Sequence, residues 1–338
     1  MSVSRYMGLC LHDPADGYYA TRPDLGAEGD FLTAPLISQI FGELLGLWAA
    51  EIWSSLGRPR PFRLVELGPG HGVMMTDVLR AAKVATGFLD ACEVWLVELS
   101  EPLRRRQAAT MCGSCAPRWA DSLRDIPADA PMIVLANEFL DCLPIDQAVR
   151  SATGWRERRV TLDAGGSLAF GMGAELQRRP PIDRAPLGAV AEWSDSLEDL
   201  GRAVGALIAR CGGAALFIDY GRAEAGVGDT LQAVRRHRKE GALASPGEAD
   251  LTAHVDFPSF MAAARAAGGL APPVRTQRAL LCALGAEIRA LALARSRPDR
   301  ADLIGRQLDR LISPEQMGHL FKAAVIHSKG VAVPGFET

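Results

Sequence analysis

No apolar stretch in this chain is long and clean enough to span a bilayer. The two longest windows, Ile133–Ile145 and Ala203–Ile218, are interrupted by Glu138 and Asp141 in the first and Arg210 in the second. A secretory leader is missing too, because Met1–Leu11 has no charged start followed by a sufficient apolar segment. Excess positive charge is also lacking. The 338 residues carry a formal net charge of −3, so no global basic field recommends nucleic acid. Arginines do cluster at Arg104–Arg106 and Arg235–Arg238, where they read as solvated helix faces. The seven cysteines are odd in number and scattered among apolar positions, a pattern of reduced thiols rather than a disulfide framework. Cys112 and Cys115 form a CxxC pair without a second pair, and His254 with Asp256 has no clear third ligand, so no metal is expected. Internal repeats and low-complexity tracts are absent. These absences predict a soluble, intracellular chain with no nucleic-acid partner and no membrane insertion. Oligomeric state is not legible at this level.

What is present centres on Arg63–Met74, RLVELGPGHGVM. A short apolar run ends in Glu66, glycines alternate at Gly68, Gly70 and Gly72, and a helical pattern follows. Alternating glycines permit a sharp turn and keep side chains away from an adenosine-type ligand, while the helix start supplies free N–H groups. A carboxylate at Glu66 repels a pyrophosphate but pairs with an ammonium group. A dinucleotide fingerprint also places its third glycine after two intervening residues, where Val73 stands here. Both points favour S-adenosylmethionine (SAM) over a dinucleotide.

The first sixty residues read as an N-terminal helical and loop cap, with helices over Val3–Leu11 and Leu36–Leu56. Residues 61–338 read as the main domain. Strands are expected at Arg63–Leu67, Val94–Glu98, Met132–Asn137 and Ala214–Tyr220. Helices are expected at Val73–Val84, Glu101–Met111 and Glu192–Cys211. This alternation argues for an α/β fold with a mostly parallel sheet covered on both faces. Trp155–Leu162 and Ser167–Gly173 read as a hairpin, inside an insertion at about 154–190 that is the candidate substrate element. A second insertion, about 221–258, reads as a long loop with a helical portion. The tail predicts strands near Val274–Arg278 and Ala323–Gly330 around a helical stretch, Leu280–Arg295.

Ligands of open α/β sheets bind beyond the carboxyl ends of the strands, so the residues there are taken together. Glu98 closes the second strand, placed to accept ribose hydroxyls. Asp121 and Ser122 stand where an adenine edge would lie. Asn137, Glu138 and Asp141 follow the apolar strand ending at Asn137, and two readings stand side by side. In one they cap a helix and oppose its dipole. In the other, two carboxylates grip and polarise a guanidinium, a poor nucleophile because its lone pairs are delocalised.

Several longer words carry a family resemblance: DPADGYY (Asp13–Tyr19), GDFLTAPLISQIFGELLG (Gly29–Gly46), VELGPGHGVMMTDVLR (Val65–Arg80), VELSEPLRRRQ (Val97–Gln107), NEFLDCLPIDQ (Asn137–Gln147), IDYG (Ile218–Gly221), GDTLQAVRRH (Gly228–His237), ADLTAHVDF (Ala249–Phe257) and PEQMGHLFK (Pro314–Lys322). In these the chain resembles the MidA-type SAM-dependent methyltransferases, whose mitochondrial members are arginine methyltransferases that assist assembly of respiratory complex I. The resemblance implies a class I SAM-methyltransferase core, Rossmann-like, with a seven-stranded mostly parallel sheet, an N-terminal helical extension and inserted hairpin and helical elements. It implies that Gly68, Gly70, Gly72 and Glu98 belong to the cofactor site. Gly29, Asp30, Phe31 and Thr33, with Asn137–Asp141, are implied to border the cofactor or the target side chain. The implied activity is methylation, with symmetric dimethylation in the mitochondrial branch, of an arginine in a peripheral-arm subunit of the NADH:ubiquinone oxidoreductase. No Arg-rich amphipathic targeting peptide is visible, which leads to the expectation of a bacterial-type, cytoplasmic member. Competing expectations are methylation of a small molecule or another residue type, and an assembly chaperone that binds the cofactor without essential catalysis.

Overall fold

The computed structural model describes residues 1–21, 33–177, 182 and 185–337. The central sheet carries seven strands in one path: β1 (Phe62–Leu67), β2 (Cys92–Val97), β3 (Arg118–Ala120), β4 (Met132–Asn137), β5 (Gly213–Arg222), β6 (Arg275–Thr276) and β7 (Phe321–His327). Their order is β6-β7-β5-β4-β1-β2-β3, and all are parallel except β7, antiparallel to both neighbours. A two-residue strand, Val255–Asp256, adds parallel to the end of β5.

Burial on both faces explains why β1 and β4 are apolar apart from Arg63, Glu66 and Asn137: all six positions of each are buried. Side-chain parity divides them between two cores. Leu64, Ile133, Leu135 and Leu216 pack with Phe41, Leu44 and Met75, on helices Gln39–Ser55 and Val73–Ala82. Val65, Leu67, Val134 and Phe217 pack with Val204 and Phe260, on helices Asp195–Cys211 and Phe257–Ala266. Each such side chain contributes about 1.5–3 kcal/mol of transfer free energy. Chain order reverses at β1, which pairs with β2 on one side and β4 on the other. The crevice beyond their carboxyl ends is therefore the expected ligand position.

Two smaller sheets sit outside this core. Strands 146–150, 155–162, 168–175 and 190–193 form an antiparallel sheet, in which two further strands extend the expected hairpin on the side of 155–162. Strands 232–235, 238–240 and 250–252 form the second. No helix forms among residues 221–255, so the expected helical portion there is corrected to β structure. Arg235–Arg238 accordingly lies on a hairpin turn, with Arg236 and His237 at φ +49° and +59°, and not on a helix face. Helix Val3–His12 buries Val3, Met7 and Leu11 against Ile145, Val160 and Leu251, tying the N-terminal segment to both accessory sheets.

Three helices differ from their expected bounds, each for a local reason. Ser38 is extended at φ −156° and separates a short turn, Ala34–Ile37, from helix Gln39–Ser55, while its hydroxyl accepts the Ile40 N–H. Glu192 belongs to strand 190–193, and Ser194 starts the helix by accepting the Leu197 N–H at 3.1 Å. Gly285, at φ +89°, divides the C-terminal helical stretch into Gln277–Ala283 and Ala286–Ser296. Among the described residues, no helix is long and apolar enough to cross a membrane.

Candidate active site

A cleft of about 840 Å³ opens at the carboxyl ends of β1, β2 and β4. The bend after Leu67 lines it through Gly68 and Gly70, at φ +62° and +51°, while Gly72, at φ +77°, is off the wall and faces Gln107. That left-handed region costs other residues about 1–2 kcal/mol. A Cβ on Gly70 would meet no atom within 4 Å, so the bend presents bare backbone there. On Gly68 it would come within 2.8 Å of the Phe139 ring, so that glycine is required by packing as well.

Glu66, only 2 % exposed, lines the same cleft. Burial pushes its carboxyl up to about 8, and its Oε2 has no hydrogen-bond partner among the described residues. A buried acceptor left in this state suits a cationic donor such as an amino-acid ammonium group. Glu98, at the end of β2, accepts the Ser100 N–H at 2.8 Å and the Gln107 amide at 3.1 Å. Burial raises its carboxyl, opposed by those hydrogen bonds. Gln107 also donates to the Gly70 carbonyl at 2.9 Å and accepts from Trp119 at 2.7 Å. One buried amide thus fixes the glycine bend and the Glu98 carboxylate relative to each other. The bend, the orphaned Glu66 oxygen and the clamped Glu98 fit SAM.

The turn after β4 lines the same cleft. Glu138 sits at φ +50°, a strained backbone for a side chain, with Oε1 accepting from Ala34 N–H at 3.2 Å and from the Asn137 amide at 3.1 Å. Burial, then the charge of Asp141, pushes its carboxyl up to about 7. Asp141 is raised to about 6 by burial and accepts the Tyr220 hydroxyl. Asp219, fully buried on β5, accepts the N–H groups of Phe139, Leu140 and Asp141 at 3.0, 2.8 and 3.2 Å. The helix-capping reading of this segment gives way here, since residues 138–141 form a turn held by Asp219 and not the first turn of a helix.

The remaining candidates divide. Thr33 and Asn137 line the cleft. Asp121 stands at its rim, its side chain 73 % exposed and paired with Arg104 at 2.6 Å. Ser122 is not on the wall, because its hydroxyl accepts the Arg124 N–H and caps the short helical turn Leu123–Asp125. Gly29, Asp30 and Phe31 lie outside the described residues. Asp256 bonds Arg222 at 2.6 Å and caps helix Phe257–Ala266, and no metal-holding group of three or more side chains occurs among the described residues. Tyr19, Tyr220 and Asp250 also line the wall without being marked by the sequence motifs. Each falls in or beside a word that carried the resemblance, but none follows a glycine bend or ends an apolar strand in a way that marks it chemically.

Residues 44–275 match the family model "Putative S-adenosyl-L-methionine-dependent methyltransferase". The chain is 36 % identical to the mitochondrial protein arginine methyltransferase NDUFAF7 of Danio rerio, over 95 % of this chain and 82 % of that protein. It is 33 % identical to the human protein of the same name, over 95 % and 78 %. A crystal structure of a "likely methyl transferase" from Burkholderia thailandensis, bound to S-adenosyl-homocysteine, superposes with a TM-score of 0.85. That pair shares 30 % identity over 99 % of this chain and 89 % of the other. The expectation of a cytoplasmic member is corrected by the Danio rerio and human relatives, both named as mitochondrial proteins. The strand order, the glycine bend with its two flanking carboxylates, and the family match lead to one identification: the chain belongs to the S-adenosyl-L-methionine-dependent methyltransferases.

Proposed function

We propose that this enzyme transfers the methyl group of SAM to a guanidinium nitrogen of an arginine in a protein. The observation that carries the reading is the pairing of half-buried Glu138 with buried Asp141 in the cleft that the glycine bend also lines. Relatives named as protein arginine methyltransferases support it. Following the resemblance, the target is a peripheral-arm subunit of the NADH:ubiquinone oxidoreductase, and methylation supports assembly of that complex.

In this reading Glu66 and the glycine bend hold the methionine half, Glu98 holds the ribose, and Asn137 and Asp121 border the nucleoside. When bound, SAM supplies an electrophilic methyl group on a positively charged sulfur. Glu138 and Asp141 then do three things. Their charge concentrates a guanidinium at the cleft wall, their oxygens orient one nitrogen, and they draw positive charge toward the opposite edge of the group. The transfer begins with two positive charges and ends with a methylguanidinium, a neutral thioether and one released proton. Glu138, held near 7 by burial, is suited to receive that proton. Placement of Glu138 and Asp141 as catalytic residues, and of Thr33 beside the target, belongs to this proposal.

Mass spectrometry of respiratory-complex subunits from a strain lacking the gene tests it. Loss of a dimethylarginine from a peripheral-arm subunit, restored by the intact gene, is the expected result. An unchanged arginine methylation pattern contradicts the proposal.

A further inference from the structure

The cleft is also lined by residues from elements outside the central sheet. Tyr18 and Tyr19 come from the N-terminal segment, Asp250 from the three-stranded sheet, and Tyr220 from the end of β5. Tyr19 donates its hydroxyl to Asp250 Oδ1 at 3.0 Å across 231 residues of sequence. Tyr220 donates to Asp141 Oδ2. Two tyrosine–carboxylate pairs therefore stand on the wall of one cavity. Tyr19 is further fixed by the His12 ring, stacked at 5.6 Å and 27°, and by the edge of Tyr18 at 5.3 Å. These elements are tied to the turn after β4 at two points: Ala253 N–H donates to the Asp141 carbonyl at 3.0 Å, and His12 Nε2 meets the Cys142 carbonyl at 3.4 Å. Asn137, 9 % exposed and also in the lining, has its buried Oδ1 without a hydrogen-bond partner among the described residues.

Resting on the arginine reading above, we propose that Tyr19 and Asp250, with Tyr220 and Asp141, form the pocket that selects a planar guanidinium over an ammonium group. The chemistry of the lining sets the preference. A hydroxyl donor on each carboxylate fixes its orientation without removing its charge. The aromatic rings offer faces and edges to a flat, weakly hydrated cation, for which guanidinium is better suited than the compact, strongly hydrated ammonium. The orphaned Asn137 oxygen, beside Glu138, adds an acceptor to which a group with several in-plane N–H donors can bond. Tyr19 and Asp250 are positioning and specificity residues here, and the chemical step stays with Glu138 and Asp141. Target choice is thereby assigned to the N-terminal segment and an accessory sheet, which the strand ends of the fold do not supply.

Saturation-transfer NMR with acetyl-arginine amide and acetyl-lysine amide, on the protein loaded with S-adenosylhomocysteine, tests the assignment. The wild type should bind the arginine probe about tenfold more tightly than the lysine probe. Asp250→Asn and Tyr19→Leu should each lower arginine affinity about fivefold or more, while calorimetry shows S-adenosylhomocysteine affinity within about twofold of wild type. Tyr19→Phe keeps the ring and should lose less than Tyr19→Leu. Asp250→Asn preserves size, so it reports on charge even if the leucine variant folds poorly. An arginine preference that survives both Asp250→Asn and Tyr19→Leu overturns this pocket and leaves the arginine reading standing. A wild type that prefers lysine, or neither probe, overturns both.

Discussion

The carboxylate of Asp219 on β5 accepts the backbone N–H of Leu140 at 2.8 Å, and through it the sheet holds the turn that presents Glu138 and Asp141. The same oxygen takes the N–H groups of Phe139 and Asp141, and Oδ1 takes that of Tyr220 at 2.8 Å. Burial, together with the charges of Asp141 and Glu138, raises its carboxyl well above the ordinary range. Asp219→Ala leaves several buried donors without acceptors and should cost about 3 kcal/mol or more of stability. Asp219→Asn keeps an acceptor oxygen of the same size and should cost less than half as much. Urea unfolding of the two variants checks this, and equal losses would contradict the role of the acceptor.

Gly70 is the position where a side chain should abolish cofactor binding with the least damage to the fold. Its Cβ direction is open, so Gly70→Val adds mainly backbone strain at φ +51°, about 1–2 kcal/mol. The expected outcome by calorimetry is loss of measurable SAM binding, with a melting temperature lowered by only a few degrees. Retained affinity would place the cofactor elsewhere.

Glu66 makes two pH predictions of defined sign. Burial raises its carboxyl from about 4.5 in the unfolded chain to about 8 in the folded one, so the folded state holds the proton more tightly. Its contribution to stability is fully present below about pH 4.5 and is lost as pH rises toward 8. Binding a cation requires the ionised form, so SAM affinity should rise with pH up to about 8. Glu66→Gln should flatten both dependences. Urea melts and calorimetry between pH 5 and pH 8.5 read them separately.

Glu138→Gln removes the proton acceptor and one negative charge while leaving the glycine bend untouched. Methyl transfer should slow by at least about tenfold, with SAM affinity within about twofold of wild type. The wild-type rate should fall as pH drops below about 7, because the carboxyl is then protonated, and the variant should lack that limb. An unaltered rate would remove Glu138 from the chemistry.

The parts of the fold legible in sequence were those carried by local periodicity. The apolar runs of β1 and β4 and the glycine bend all appear where the residues placed them. Glu66, Glu98 and Glu138 line the cleft together because strand ends converge by topology. Pairing between distant segments was less readable. Strands 232–235, 238–240 and 250–252 are three to four residues long and polar at their edges, too short for alternation to show. Ser194 and Gly285 are ordinary punctuation signals whose effect depended on neighbouring elements. Asp219 and Tyr220 lie inside an apolar strand, and their contacts to residues 139–141 span about eighty positions. Ser122 shows the converse, since a hydroxyl beside the crevice served its own backbone turn.

The most direct test is transfer of labelled methyl from SAM to an unmethylated peripheral-arm fraction by the purified protein, followed by acid hydrolysis and amino-acid separation. Label should appear in methylarginine and accumulate at least about tenfold more slowly with Glu138→Gln. Label in methyllysine, or none in any amino acid, would contradict arginine methylation at this cleft.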